Sequence, residues 1–438
     1  MASTANPLQR PGAGAPSAFE EATYRKVAWR LSPLLLICYV VAYLDRVNVG
    51  FAKLQMSTDL GLSDAVYGFG AGIFFFGYFI FEVPSNVILH KVGARVWIAR
   101  IMITWGIISA LTMFITTPTM FYVMRFLLGI AEAGFFPGII LYLTYWYPAH
   151  RRGRMTSLFM TAIALSGLIG GPVSGWIMKS FDGVNHWHGW QWLLLLEGIP
   201  SIVVGLVVFF MLDDRISKAK WLTQEERELL ERNIAADNVE KEDMSIGMIF
   251  SSPKVWLMSL IYFSFVMGLY GVSFWLPTII KATGVTDALS IGLLSAIPYG
   301  AAVVSMLVVA KSADKRGERR WHIAIPAVLG SIGLVLSVIW ANNTALAMLG
   351  LTLATMGILT TLPLFWSLPT AFLAGTGAAA GIAMINSLGN LAGFLSPYLV
   401  GWLKQATASN SSGMYMLAGF LIFGALLVLS VPARTVNR

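Results

Sequence analysis

Residues 90–97 read His90-Lys-Val-Gly-Ala-Arg-Val-Trp97, and residues 314–321 read Asp314-Lys-Arg-Gly-Glu-Arg-Arg-Trp321. Four of the eight positions agree at an offset of 224. A second pair, Gly61-Leu-Ser-Asp-Ala65 and Gly284-Val-Thr-Asp-Ala288, agrees at an offset of 223. Each pair lies between equivalent long apolar runs, so the chain reads as one unit used twice. Duplicated six-helix units are common in secondary transporters, where two similar bundles rock about a site held between them.

The surrounding composition requires a bilayer. Of 438 residues, 57% are hydrophobic and 12% charged, and the mean hydropathy is +0.71. Soluble domains carry about 25% charged residues. The apolar runs continue for 20 or more residues without alternating, which favours spanning helices over barrel strands. Spans are expected at 28–51, 65–89, 97–116, 119–147, 155–179 and 190–212, then at 254–280, 288–310, 321–341, 345–373, 377–403 and 413–433. The expected fold is therefore all-α and polytopic, with twelve transmembrane helices in two pseudo-symmetric bundles. Residues 25–212 form the first bundle and 254–433 the second. Residues 1–24 and 434–438 are read as cytoplasmic tails, the first flexible and without a cleavable leader. The polar stretch 213–253 is a linker. Within it Thr223-Gln-Glu-Glu226 is a capping-box pattern that opens a short amphipathic helix.

Lysine and arginine set the orientation. With the N-terminus inside, 24 of the 30 basic residues fall on the inner side. Lys53, Lys179, Lys281 and Lys404 fall outside, and Arg46 and Arg125 lie within spans. The net charge of +8 is thus a topology signal, and no nucleic-acid partner is expected. Cys38 is the single cysteine and cannot form an internal disulfide. No nucleophile motif, phosphate loop or metal-ligand cluster is legible, so neither an enzyme nor an ATP-driven pump is expected, and no cofactor.

The loop Lys91-Val-Gly-Ala-Arg95 and its copy from Asp314 to Arg320 resemble the loop motif of the major facilitator superfamily. In the first copy His90 replaces the usual acidic residue. The resemblance implies that Lys91, Arg95, Asp314 and Arg319 act in gating. A narrower resemblance is to the anion:cation symporter family. It rests on Tyr43-Leu-Asp-Arg-Val-Asn48, Phe81-Glu-Val-Pro-Ser-Asn86, Arg125-Phe-Leu-Leu-Gly-Ile-Ala-Glu-Ala-Gly-Phe-Phe-Pro-Gly138 and Gly381-Ile-Ala-Met-Ile-Asn-Ser387. Within that family the chain looks most like carriers of tartrate, phthalate and hydroxyphenylacetate. The resemblance implies a monomeric carrier in a bacterial inner membrane, importing a small organic anion with protons as the coupling ion.

The residues make a parallel case. An intramembrane charge costs about 2.5–3.5 kcal/mol on insertion scales, so its retention implies a use. The first span holds Asp45 and Arg46, and the fourth holds Arg125 and Glu132. At a rise of about 1.5 Å per residue, Arg46 lies about 7 Å and Arg125 about 10 Å outward of their span centres. At a shared depth, both guanidiniums can grip one carboxylate through paired hydrogen bonds. Glu132, seven residues from Arg125, is expected two turns deeper on the same helix face. Asp45 and Glu132 are the expected proton sites. Burial favours the neutral carboxyl and a nearby arginine the ionised one, so anion entry would prompt proton uptake. Structural pairing is the competing reading for both, and Glu82 and Glu197 are read as structural. Tyr43, Tyr78, Tyr270, Trp366, Ser367, Asn386 and Asn390 are candidates for the polar and aromatic wall of the pocket. A proton-coupled drug exporter and a non-transporting nutrient sensor on the same fold are the alternatives.

Overall fold

The computed structural model describes residues 17–239, 251–370 and 375–436. Parts of both expected tails, of the linker and of the tenth span therefore lie outside the described residues. The first half contains α1 (Ala18–Val47), α2 (Val49–Asp59), α3 (Asp64–Val92), α4 (Ala94–Leu111), α5 (Pro118–Glu132), α6 (Phe135–Thr144), α7 (Ala149–Ser180) and α8 (Gly189–Met211). The linker carries α9 (Gln224–Val239). The second half contains α10 (Pro253–Ala282), α11 (Ala288–Arg316), α12 (Arg320–Ile339), α13 (Thr344–Phe365), α14 (Ser367–Thr370), α15 (Gly375–Thr407), α16 (Ser411–Ser430) and α17 (Ala433–Val436). Among the described residues, eleven helical stretches are long and apolar enough to cross a membrane. A further helix of 33 residues, α15, occupies the place of the expected span 377–403.

Two details depart from the sequence reading. The helix of the first span begins at Ala18, inside the expected tail, because Ser17 caps it by accepting from the Glu20 backbone N–H at 3.1 Å. Arg151 then anchors Glu20 and Glu21 at 3.2 and 2.7 Å. The fourth span is not continuous. Ala133 is extended and Gly134 sits at φ +82°, so α5 stops at Glu132 and α6 starts at Phe135. A side chain at Gly134 would meet Ser85 Oγ at 2.4 Å as well as a strained backbone. Broken spans are tolerated where protein covers the freed backbone. Here the break places Glu132 at a helix end in mid-protein.

The linker helix follows its capping box. Thr223 and Glu226 exchange hydrogen bonds at 2.8 and 3.2 Å. Lys26 pairs with Glu226 at 2.7 Å, tying α9 to α1. In the first copy of the loop motif, Asp214 supplies the missing carboxylate. It accepts from the Arg95 backbone N–H at 2.9 Å, while the Arg95 guanidinium carbon lies 5.4 Å from the Phe209 ring centre. Gly93, at φ +101°, lets that carboxylate approach; a Cβ would stand 2.7 Å from it. Lys91 is exposed. In the second copy Asp314 pairs with Arg319 at 2.7 Å, within the motif itself.

The halves meet along two antiparallel helix pairs, each lined by small residues. Along α3 and α15, a Cβ on Gly68 would stand 2.3 Å from the Pro397 carbonyl, and one on Gly72 2.5 Å from that of Phe394. Along α7 and α11, Gly171 and Gly292 face each other, and a Cβ on Gly292 would lie 2.2 Å from the Gly171 carbonyl. Without a hydrophobic drive between helices in lipid, such close backbone contact supplies the attraction. Ion pairs reinforce the side away from the linker: Lys53 and Lys404 share Asp64 at 2.7 and 3.1 Å, and Lys179 holds Asp287 at 2.9 Å. Hydrogen bonds from Lys179 and Ser290 keep the Asp287 carboxyl down at about 2. That contact is lost only as pH falls toward this value, so it persists across the physiological range.

Gly292→Val should wedge this seam apart. Overpacking costs about 1–3 kcal/mol. Spin labels at positions 179 and 287 should then show a longer and broader distance distribution than in the parent protein. An unchanged distribution would mean that α7 and α11 do not approach this closely.

Candidate functional site

Arg46 and Asp45 are neighbours in α1 but point different ways, because consecutive helical residues are about 100° apart. Arg46 faces the junction of the two halves. Its Nη1 donates to the Tyr270 hydroxyl on α10 at 2.8 Å, and its Nη2 donates to Glu132 Oε1. The guanidinium carbon lies 5.3 Å from the Phe74 ring centre, 5.6 Å from Tyr78 and 5.8 Å from Tyr43. Aromatic faces stabilise a cation that has lost its water. Arg46 and Glu132 are 5% and 1% exposed, so this ion pair is fully inside the protein.

Arg125 reaches the same cluster from α5. It donates to the carbonyls of Arg46 and Ala71 at 3.4 and 3.3 Å, with the Phe74 ring centre 5.1 Å away. One phenylalanine ring therefore lies against both arginines. Glu132 pairs with Arg46 and not with Arg125, which lies two turns away on the same helix at about 1.5 Å per residue. Nε of both arginines has no acceptor among the described residues. Each retains hydrogen-bonding capacity.

A small cavity of about 30 Å³ lies beside this cluster. Tyr39, Arg46 and Tyr78 line it from the first half, and Tyr262, Tyr270, Asn386 and Asn390 from the second. Arg125 is not in its wall; it lies one layer behind. Tyr43 stacks on Tyr270 with ring centres 6.4 Å apart and shares a 3.2 Å hydrogen bond with Ser273. Trp366 packs against Tyr262 at 5.0 Å, behind the wall. Ser367 donates to the Leu364 carbonyl at 2.6 Å.

Asp45 points away from the cavity into the first bundle. Trp105 and Ser109 donate to it at 3.0 and 2.9 Å, and Ser201 donates to it as well. Glu197 accepts from Ser174 at 2.7 Å in the same bundle. Glu82 joins the two halves: Asn386 Nδ2 and Ser387 Oγ donate to its carboxylate at 3.0 and 3.3 Å. Its sequence signal was the charge itself within a span; the partner could not be seen, since it lies 304 positions away. Tyr39, Tyr262 and Ser273 also join the site, with no mark separating them from ordinary core residues.

This cavity is lined by residues of both similar bundles. Comparison with known proteins agrees with this architecture. Over 95% of this chain and 96% of its own, a protein of Pseudomonas putida named "Putative metabolite transport protein NicT" is 49% identical. A "Putative tartrate transporter" of Agrobacterium vitis is 47% identical over 96% of each chain. A "Quinolone resistance transporter" of Acinetobacter baumannii is 40% identical over 95% of this chain and 96% of its own. The crystal structure of a D-xylose-proton symporter superposes with a TM-score of 0.72 at 17% identity, covering 92% of this chain and 98% of that one, which speaks to the fold. The family model of the Major Facilitator Superfamily matches residues 35–397. This protein belongs to the Major Facilitator Superfamily and is a membrane transporter, not an enzyme.

Proposed function

We propose that this transporter carries a small organic anion into a bacterial cell across the cytoplasmic membrane, together with protons, as a monomer and without a cofactor. The observation that carries this reading is Arg46 on the cavity wall, paired behind it with the buried Glu132 and held by Tyr270 of the opposite half on the same guanidinium. A substrate carboxylate entering the cavity competes with Glu132 for Arg46. If it wins, Glu132 is left as an unpaired charge in a low-dielectric interior, an unfavourable state that a proton removes. Anion and proton are then loaded together, and the cavity becomes neutral enough to close. Asp45 is the second proton site. Its partners are three neutral donors and no cation, so it can exist in either proton state at modest cost. Arg125 braces the Arg46 backbone and adds positive field behind the site. Lys91, Arg95, Asp314 and Arg319 serve the rocking of the halves from the linker side.

The name of the Acinetobacter baumannii relative supports a second reading, movement of a quinolone. Quinolones bear a carboxylate that the same arginine would hold. A substrate panel should therefore include one.

Uptake into proteoliposomes under an imposed pH gradient tests the scheme. Glu132→Gln should abolish gradient-driven accumulation of a labelled acid while preserving exchange of acid across the membrane. Accumulation at the parental level would remove Glu132 from the proton path.

Arg46→Lys keeps the charge but loses the planar fork. KM for the acid should rise at least about tenfold, the equivalent of about 1.4 kcal/mol, with the protein still folded by its melting curve. An unaltered KM would take Arg46 out of the anion site.

A further inference from the structure

Basic residues are scarce on the side away from the linker, where the sequence places only Lys53, Lys179, Lys281 and Lys404. Three of these four come together from three helices and both halves. Lys53 of α2 and Lys404 of α15 each take one oxygen of Asp64, at 2.7 and 3.1 Å. Lys281, at the end of α10, donates to the carbonyl of Leu54, next to Lys53, at 3.1 Å. Lys179 is held apart by Asp287. Three ammonium groups thus gather about a single carboxylate. Other acids on this side are engaged elsewhere: Asp59 accepts from Trp190 Nε1 and Asp182 from the Gly189 backbone N–H, both at 2.7 Å.

The cluster rests on aromatic rings. Lys53 Nζ lies 4.8 Å from the Trp275 ring centre and 5.1 Å from that of Tyr67, and Lys404 Nζ lies 5.5 Å from Trp275. Such faces favour a cation that is short of water. Lys53 is buried, so losing its carboxylate without replacement would strand a charge inside the protein. The side chains of Lys404 and Asp64 are 22% and 26% exposed, and Lys281 is exposed. A solute can therefore reach the carboxylate from outside while one of its two lysines stays within.

Resting on the uptake reading above, we propose that Lys53, Lys281 and Lys404 form a second carboxylate-binding site, at the outer mouth and separate from Arg46, and that Asp64 fills it as the protein's own carboxylate while that mouth is closed. The excess of positive charge draws anions to this place. An arriving carboxylate replaces Asp64 with the same chemistry, so Lys53 is never left unpaired. What it breaks is the ion pair between Asp64 of the first half and Lys404 of the second. Beside that pair, Gln405 Oε1 accepts from the Ala65 backbone N–H at 3.3 Å and Tyr67 donates to the Phe274 carbonyl at 3.1 Å, both across the same seam. Recruiting the anion and loosening the seam are one event.

Labelling of lysines with an amine-reactive ester, mapped by mass spectrometry on the purified full-length protein, reads this site without relying on transport. With ionic strength held constant by sodium chloride, tartrate should protect Lys404 and Lys281 and leave Lys179, on the same side, reacting as before. Asp64→Asn removes the internal competitor, so half-protection of Lys404 should come at about tenfold less tartrate. A second measurement on the parent protein serves if that variant does not fold. Raising sodium chloride from about 0.05 to about 0.5 M at fixed tartrate should weaken the protection several-fold, because salt screens partly exposed charges. Lys179 shielded as much as Lys404 overturns the inference, and so does an unchanged half-protecting concentration in folded Asp64→Asn or protection indifferent to salt. In Arg46→Lys the protection should persist, whatever that variant does to KM. Its loss there would mean that Lys404 only reports on Arg46, and it would overturn the separate site.

Discussion

A guanidinium and a carboxylate enclosed together between two half-proteins form the constraint on which this structure turns. Each ion alone inside a low-dielectric interior is strongly disfavoured, and removing one member of such a pair costs about 3–5 kcal/mol. The pair is therefore stable only while both members stay engaged or while something else replaces one of them. In the proposed cycle a permeating anion replaces Glu132 and a proton replaces Arg46, and that exchange is what would couple the two: each ligand makes the other's binding possible. The Tyr270 hydroxyl adds the third requirement, because it ties the same guanidinium to the opposite half at 2.8 Å. What happens to the charge is thereby felt across the seam.

A backbone break follows the acidic member of the pair. Glu132 is the last residue of α5; beyond it Ala133 leaves the helix and Gly134 turns through a left-handed conformation before α6 begins. The carboxylate, still on the helix that carries Arg125, meets Arg46 of α1. The glycines of the seam perform a complementary task. Gly171 and Gly292 permit two backbones to touch over a short distance. Aromatic rings pack beside these contacts: Tyr299 lies over Gly167, and Phe69 meets Phe394 and Tyr398 edge-on at 5.9 Å.

Much of this was legible in the chain. The apolar runs gave the spans, the two motif copies revealed the halves, and Arg46, Arg125 and Glu132 stood out because charge within a span demands a reason. Depth along a helix could also be estimated, and it brought both arginines to the same ring of Phe74. Direction around the helix was harder. Asp45 adjoins Arg46 in sequence but faces Trp105, Ser109 and Ser201 inside the first bundle. Arg125 sits behind the cavity and not in its wall. A sequence fixes the angle between neighbours on one helix, yet the absolute rotation is set by packing against helices contributed from elsewhere in the chain. The pairing of Glu82 with Asn386 was invisible for the same reason, and the start of α1 at Ala18 was hidden by a distant partner, Arg151.

These placements explain why six acidic and basic side chains can coexist in the membrane interior without forming one network. Arg46 lines the cavity and pairs with Glu132 behind it, while Arg125 is occupied by backbone carbonyls. Asp45 is held by neutral donors within the first bundle and Glu82 by neutral donors across the seam, while Glu197 accepts from Ser174 at one oxygen and its other oxygen has no partner among the described residues. Of these six, Arg46 is the one that meets the cavity. Neutral hydrogen bonds, unlike ion pairs, leave a carboxyl with little preference enforced by opposite charge, so under the proposed scheme the outlying acids change proton state without pulling a cation from its place. Keeping Arg46 and Glu132 apart from the neutrally held acids means that, in that scheme, an anion at Arg46 unbalances one carboxylate, where a single fused cluster of six would spread the disturbance.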